Sequence, residues 1–313
     1  MGLASLRRLE AEPNRVTSKL VVRIGPEPSS PTPAVSGSAS WTAYPTAVLA
    51  RGPRLLLVVE DSAGQTTEAD LTEEGVGLGV PVVRYGSRCR YPGSVCVRAC
   101  GPHAYRYTYH LDLTDRVGLF GGRVSGAPLD RAREWFSVLH RRRPATRRSI
   151  DTLGVLTRRV LGVTTWFGPA PLPVVVDVVY RVDPGEDSVE VEVDAREAVR
   201  RGCGEVSLMN ESGGHHFTEY RDVTGFRRDD AIGSWHQVTG DWAAMGDPRT
   251  GAWFGVRLKR AAVTDSGPTR LNAGREVAGA RLAWAGVAVV LPSGVSGCVY
   301  RVSYGLGGIG AAA

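Results

Sequence analysis

The chain has 313 residues, with 42% hydrophobic and 22% charged residues, and it carries a formal net charge of +6. This composition is ordinary for a folded protein and excludes disorder of the whole chain. A charge of this size on a chain of this length does not by itself indicate nucleic-acid binding. Since the sequence shows neither a secretory signal nor an apolar run of about 18 residues, we expect a soluble, cytoplasmic protein without a membrane segment.

The first forty residues form a separate N-terminal segment in our interpretation. Leu20–Ile24 is predicted to be a strand, and Gly25–Ser40 is a Pro- and Ser-rich arm that we expect to be extended or mobile. Residues 41–304 are predicted to be a single β-sandwich domain. Residues 305–313 are predicted to be a flexible tail.

Short apolar runs separated by Gly and Pro predict strands throughout the main domain. Tyr105–Leu113 alternates strictly between large apolar and polar residues, which is typical of a half-buried strand. Pro173–Tyr180 and Ser188–Asp194 form the clearest hairpin. Together these patterns predict an all-β fold, a large antiparallel two-sheet sandwich. Two smaller β domains meeting near residues 128–143 are the alternative.

One segment, residues 128–143, has helical rather than strand periodicity. Leu129, Ala132, Phe136 and Leu139 recur at helical spacing, and Pro128 suits the first turn. The pattern predicts one helix inserted between strands, ending before Pro144.

The stretch from Asn210 to Trp242 concentrates the side chains that are most suited to chemistry. Its members include His215, His216, Glu219 and His236. Imidazoles near neutral pH suit proton transfer, and aromatic faces beside carboxylates suit sugars. If Phe217 lies in a strand, His215 and His216 face opposite sides and cannot share one task. The alternative is a polar, loop-rich sheet edge whose rings pack for stability.

Two further clusters have a chemical and a structural interpretation. Cys89, Cys96, Cys100 and His103 supply enough ligands for zinc, but their spacing matches no zinc motif that we recognise, and buried structural cysteines are the alternative. An odd number of cysteines argues against a disulfide framework. The arginines of Arg141–Arg148 suit either anion binding or surface ion pairs. We therefore expect no metal and no cofactor.

The order of elements from Val174 onward resembles the galactose-mutarotase-type supersandwich. In that family a central hairpin precedes a strand with an Asn-His…Phe signature, whose histidine helps to protonate a sugar. Here the hairpin precedes Leu208-Met209-Asn210-Glu211 and then His215-His216-Phe217. Ser212-Gly213-Gly214 separate Asn210 from the two histidines, which departs from the signature. A late glutamate serves as base in the family, and Glu276 is the residue of that type in the matching region.

These observations predict a protein that binds or acts on a carbohydrate by cofactor-independent epimerisation or glycan cleavage. His215 or His216 is the expected general acid, with Glu276 or Glu219 as base. The residues expected to bind the sugar are Asn210, Glu211, Arg221, Trp235, His236 and Trp242. The alternative is a non-catalytic structural or assembly subunit, a homo-oligomer in which the Pro-rich arm pairs with a neighbouring subunit.

Overall fold

The computed structural model describes residues 15–25, 49–61, 63–73, 75–86, 88–120, 124–125, 164–182, 185–260, 263–264, 267–277 and 283–312. Antiparallel strands dominate these residues, so the prediction of an all-β fold is confirmed. The strands are β1 (Arg15–Arg23), β2 (Arg54–Asp61), β3 (Thr66–Asp70), β4 (Gly77–Tyr85), β5 (Arg88–Tyr91), β6 (Ser94–Gly101), β7 (Ala104–Leu119), β8 (Val124–Ser125), β9 (Thr164–Val182), β10 (Ser188–Asp194), β11 (Glu205–Gly213), β12 (Glu219–Asp222), β13 (Gly225–Arg228), β14 (His236–Gln237), β15 (Trp242–Gly246), β16 (Trp253–Arg260), β17 (Val263–Thr264), β18 (Gly267–Pro268), β19 (Arg270–Val277), β20 (Ala283–Pro292) and β21 (Gly297–Gly305). The helical elements in these residues are α1 (Arg196–Arg200) and two 3-10 turns, Asp229–Ala231 and Ile309–Ala312.

One hydrogen-bonded sheet of sixteen strands contains most of the fold. Its main path runs β13-β12-β15-β16-β21-β10-β9-β7-β5-β4-β11-β20-β19-β14, with β6 and β8 paired to β7. The path folds over at the short strand β5. The strands from β12 to β7 therefore make one layer of a sandwich, and β4, β11, β20 and β19 make the other. A separate three-stranded sheet, β1-β2-β3, contributes Leu20, Val22 and Leu57 to the same hydrophobic core.

Alternation of side chains explains why the central strands form. In β7, Tyr107, Tyr109 and Leu111 are buried, whereas Arg106 and His110 are exposed. Such alternation buries one face of a strand and leaves the other in water. The predicted hairpin is also confirmed, because β9 and β10 pair antiparallel from Val182 and Val189 onward.

Polar side chains join the two layers inside the core. The hydroxyl of Tyr180 in β9 donates to the carbonyl of Leu78 in β4 at 2.8 Å. The hydroxyl of Tyr300 in β21 donates to Oδ1 of Asn210 in β11 at 3.4 Å. Since a buried polar group without a partner is costly, these bonds specify how the layers face each other.

Two predicted features fall outside the described residues, namely the helix over 128–143 and the basic cluster Arg141–Arg148. Most of the Gly25–Ser40 arm lies outside them as well. Within the part of the chain that the structure describes, no helix is both long enough and apolar enough to cross a membrane.

The predicted flexible tail begins at Gly305, the last residue of β21. Beyond it, Ile309 is buried in a small cluster with Trp242, and Trp253 packs against that cluster. The carbonyl of Gly310 accepts a hydrogen bond from Nη1 of Arg221 at 3.2 Å.

Candidate functional site

The two adjacent histidines lie in a turn after β11 rather than in a strand. The N–H groups of His216 and Phe217 both donate to the carbonyl of Gly213, which closes this turn. His216 is buried, and its Nδ1 contacts Nη2 of Arg249. His215 is half-buried. The strand geometry that would set the two histidines on opposite faces therefore does not apply here.

Charged residues surround this turn and pair with one another. Arg249 lies with its Nε 3.5 Å from Oδ1 of Asp247, whose side chain is fully buried. Glu219 is also buried and accepts a hydrogen bond from Nη2 of Arg228 at 2.6 Å. Each carboxylate therefore has a guanidinium partner.

His236 lies where the two ends of the sheet path meet. Its Nε2 is 3.2 Å from Nη1 of Arg227 in β13, and its ring stands edge-on to Tyr220 in β12 with centroids 5.6 Å apart. His236 itself belongs to β14, at the opposite end of the path. The ring therefore takes part in closing the sandwich between its edge strands.

Asn210 is fully buried between the layers. Its Oδ1 accepts from the N–H of Gly79 at 3.0 Å and from Tyr300, while its Nδ2 donates to the carbonyls of Val287 at 2.9 Å and Leu208 at 3.3 Å. The amide thus uses its hydrogen-bonding capacity inside the core.

Glu211, the next residue, points to the opposite, outer face of the same layer. It pairs with Gly286 of β20 on one side and Gly77 of β4 on the other. A Cβ added to Gly286 would lie 2.9 Å from Cγ of Glu211, so the glutamate side chain lies over a position that only glycine leaves open. Gly75 is equally tight, since a Cβ there would lie 2.9 Å from Cβ of Glu211. The stem of the Glu211 side chain is consequently packed against glycine backbone on both sides.

Two tryptophans and a second glutamate lie beside Glu211 on this outer face. Trp284 stands two residues before Gly286 in β20 and pairs with Glu276 of β19, so all three side chains share the face. The rings of Trp284 and Trp235 are stacked, with centroids 4.6 Å apart and planes 17° from parallel. Trp235 reaches this position because its backbone covers Gly274, where a Cβ would lie 2.7 Å from its nitrogen.

The carboxyl of Glu211 has an unusual protonation equilibrium. Burial raises the pKa of Glu211 from an ordinary value of 4.5 to about 7, and a hydrogen bond from the backbone N–H of Val76 only partly opposes the rise. Removing a carboxylate from water disfavours its charged form, which explains the direction of this shift. Near neutral pH the group therefore populates both its acid and its base forms.

The regular geometry of the sheet places the two glutamates apart but within reach of one ligand. Glu211 and Glu276 are separated by two strand spacings of about 4.8 Å and by two residues along the strands at about 3.4 Å each, which puts their Cα atoms about 12 Å apart. Trp284 lies between them on β20. The arrangement offers a proton donor, a second carboxylate and an aromatic face around one patch of sheet.

A groove of about 670 Å³ opens elsewhere, on the outer side of β9 and β10 beside α1. Asp177 and Asp194 face each other across that ladder, and Arg196 holds Asp194 with hydrogen bonds of 2.5–3.0 Å. The bonds from Arg196 lower the pKa of Asp194, so this carboxylate stays ionised. The groove contains none of the residues that the sequence indicated for the site.

The four candidate zinc ligands are not brought together. Cys96 and Cys100 are exposed on β6, whereas Cys89 lies in β5. Among the described residues, which include these four, no three histidine, cysteine, aspartate or glutamate side chains are grouped so that they could hold a metal ion. All five cysteines are free. The reason for the separation is register, since Cys96 pairs with Thr108 of β7, whereas Arg90, the residue after Cys89, pairs with Thr114 of the same strand.

The structure thus gathers three predicted site residues on one face: Glu211, Trp235 and Glu276. Six other predicted site residues make their contacts elsewhere, namely Asn210, His216, Glu219, Arg221, His236 and Trp242. His215 is half-buried in the turn that follows β11. Sequence reasoning missed Trp284. The feature that could have revealed it is a large aromatic residue in a predicted strand whose neighbours, Ala283, Ala285 and Gly286, are all small.

The comparisons with known proteins leave the family open. No protein-family model matches the chain, and no curated protein matches it. Among solved structures, an alpha-mannosidase from Enterococcus faecalis V583 is similar over 82% of this chain, with 8% sequence identity and a TM-score of 0.37. The chain spans 28% of the length of that protein. Similarity at this level supports neither a fold family nor an activity, so the resemblance to the galactose-mutarotase family is not confirmed.

Proposed function

We propose that this protein binds a carbohydrate on the outer face of β11, β20 and β19 and transfers protons to and from it without a cofactor. The observation that carries the proposal is Glu211, a buried carboxyl whose pKa is raised to about 7, beside stacked tryptophans. A glutamate that is partly protonated near neutral pH is suited to general acid catalysis. Sugars present apolar C–H faces to aromatic rings and hydroxyls to carboxylates.

The proposed roles follow from position. Glu211 is the general acid and Glu276, which is exposed, is the base, while Trp284 and Trp235 hold the sugar ring. Glu211 directly follows Asn210. It therefore stands where the histidine stands in the Asn-His…Phe signature of the family that this sequence resembles. The histidine turn at His215 and His216 has a positioning role at most in this scheme, since His216 already contacts Arg249.

The proposed reaction is interconversion of the two anomers of a reducing sugar. Glu211 protonates the ring oxygen while Glu276 removes the proton of the anomeric hydroxyl. The bond between the anomeric carbon and the ring oxygen breaks, which gives the open-chain aldehyde. Reclosure on the other face returns both protons, so no redox partner is needed.

The test measures anomer exchange of glucose, galactose and mannose by polarimetry at pH 7. The wild-type protein is expected to accelerate exchange, and Glu211→Gln should slow it by about 100-fold or more because the proton donor is lost. Glu192→Gln, an exposed glutamate in β10, is the matched control and should retain full activity. Equal rates for wild type and Glu211→Gln would contradict the proposed role.

Binding is tested separately by tryptophan fluorescence with the same three sugars. Trp284→Ala should abolish the sugar-dependent change, whereas Trp166→Ala, an exposed tryptophan in β9, should preserve it. If the wild-type protein shows neither a fluorescence change nor anomer exchange with these sugars, the carbohydrate proposal is wrong.

A further inference from the structure

Three arginines converge at the corner where the main sheet folds over. Arg88 and Arg90 are two residues apart in β5 and so lie on one face of that strand. Arg90 pairs with Thr114 of β7, and Arg116 stands two residues further along β7 on the same side. Since directly paired residues share a face, the three side chains project from the same side of the corner.

Arg90 is the buried member of this cluster, which we call the arginine corner (Arg88, Arg90 and Arg116). It is 7% exposed, and its guanidinium carbon lies 5.8 Å from the ring centre of Tyr85. Within the part of the chain that the structure describes, neither Nε nor Nη1 of Arg90 has a hydrogen-bond partner. Leaving two buried guanidinium donors without an acceptor is costly, which favours binding of an acceptor at this position.

The other two arginines are only partly buried and form the outer part of the corner. Nη2 of Arg116 donates to the carbonyl of Pro169 at 3.0 Å, which fixes the direction of that side chain. Burial and the charges of Arg88 and Arg116 lower the pKa of Arg90, while Asp115 acts in the opposite direction. Asp115 lies between Thr114 and Arg116 in β7, so its side chain leaves the strand on the side opposite to the three arginines.

We propose that the arginine corner binds an oxyanion of the phosphate class. Guanidinium groups donate pairs of parallel N–H bonds, which match the oxygens of phosphate or sulfate. A tetrahedral oxyanion accepts from several donors at once, whereas a carboxylate has two oxygens. The site lies at β5 and β7, away from the Glu211 face, and it is independent of the proposed carbohydrate chemistry.

The experiment follows the melting temperature of the full chain in sodium phosphate and in sodium sulfate, against sodium chloride at equal ionic strength. Phosphate at ten times its dissociation constant should raise the melting temperature by about 2 °C or more, because it binds only the folded state. Arg90→Met should lose this rise. Arg106→Met, an exposed arginine in β7, is the control and should keep it.

A second variant keeps the test decisive where Arg90→Met fails to fold. Arg116→Gln leaves the buried arginine in place, and it should weaken phosphate binding by at least about tenfold when measured by titration calorimetry. Equal effects of phosphate and chloride on the wild-type protein would show that only ionic screening acts, and would overturn the proposal. Retention of the phosphate effect in Arg116→Gln and Arg90→Met would overturn it as well.

Discussion

Asn210 and Glu211 are adjacent in β11 and both are buried, yet their surroundings differ completely. Asn210 faces the core, where Gly79, Tyr300, Val287 and Leu208 satisfy its amide. Glu211 faces outward, where burial raises its pKa to about 7 and the N–H of Val76 is the donor that opposes the rise. A buried polar group whose hydrogen bonds are satisfied specifies structure, whereas a buried carboxyl with a pKa near neutral pH keeps a protonation equilibrium available for chemistry.

Substitution of Asn210, the residue that faces the core, is expected to have the largest effect on stability. Asn210→Ala removes the side-chain partner of the N–H of Gly79, the hydroxyl of Tyr300 and the carbonyl of Val287, and we expect the free energy of unfolding to fall by about 4 kcal/mol. Urea denaturation measures this loss. Asn272→Ala is the matched control, because the Oδ1 of Asn272 has no hydrogen-bond partner within the described residues, and it should cost less than about 1 kcal/mol. Equal losses in the two variants would contradict the assignment.

Glu211, the residue that faces outward, is expected to make the stability of the protein depend on pH. Because the pKa of Glu211 is higher in the folded than in the unfolded state, wild-type stability falls as pH rises from about 4.5 through 7. A shift from 4.5 to about 7 corresponds to about 3 kcal/mol. Glu211→Gln should therefore match wild type at pH 4.5 and exceed its stability by up to about 3 kcal/mol at pH 8.5, as measured by urea denaturation.

The exposed Glu192→Gln variant should show no such difference between the two pH values. A Glu211→Gln variant that is less stable than wild type at pH 8.5 would show that the carboxylate is well solvated or well paired. Glu211 would then resemble Asn210, as a buried polar group that its surroundings stabilise.

The smallest of the three expected effects concerns Gly286 of β20, which lies against both Asn210 and Glu211. A Cβ at Gly286 would lie 2.6 Å from the carbonyl oxygen of Asn210 and 2.9 Å from Cγ of Glu211. Gly286→Ala should therefore cost about 2 kcal/mol and displace the Glu211 side chain. Thermal denaturation measures the cost, and Gly204→Ala, where the nearest atom would be 3.8 Å away, should be nearly neutral.

The elements of this fold were largely predictable because strand alternation is local information. Tyr105–Leu113 and the hairpin of β9 and β10 form where alternation and turn residues predict them. The predicted site stretch also contains Glu211 and Trp235. Its histidines were overweighted, since residue type alone cannot show that His216 contacts Arg249 across 33 positions of sequence.

The assembly of the site was not predictable because it depends on register between distant segments. Trp284 shares the outer face with Glu211 only because β20 pairs with β11 at Gly286, and a slip of one residue in β20 would turn Trp284 to the other face. Glycines within strands were the available signal. Gly274 and Gly286 mark places where another chain segment approaches closely, and the sequence shows both.

The position of β21 has a consequence for biosynthesis. This strand, Gly297–Gly305, is the last in chain order, yet it lies in the middle of its layer between β10 and β16. Until it is synthesised, β10 and β16 each lack a hydrogen-bonding neighbour, and their open edges are sites for pairing with other chains. Folding of this layer therefore has to wait until Gly297–Gly305 has been synthesised, and the growing chain is most exposed to aggregation just before that point.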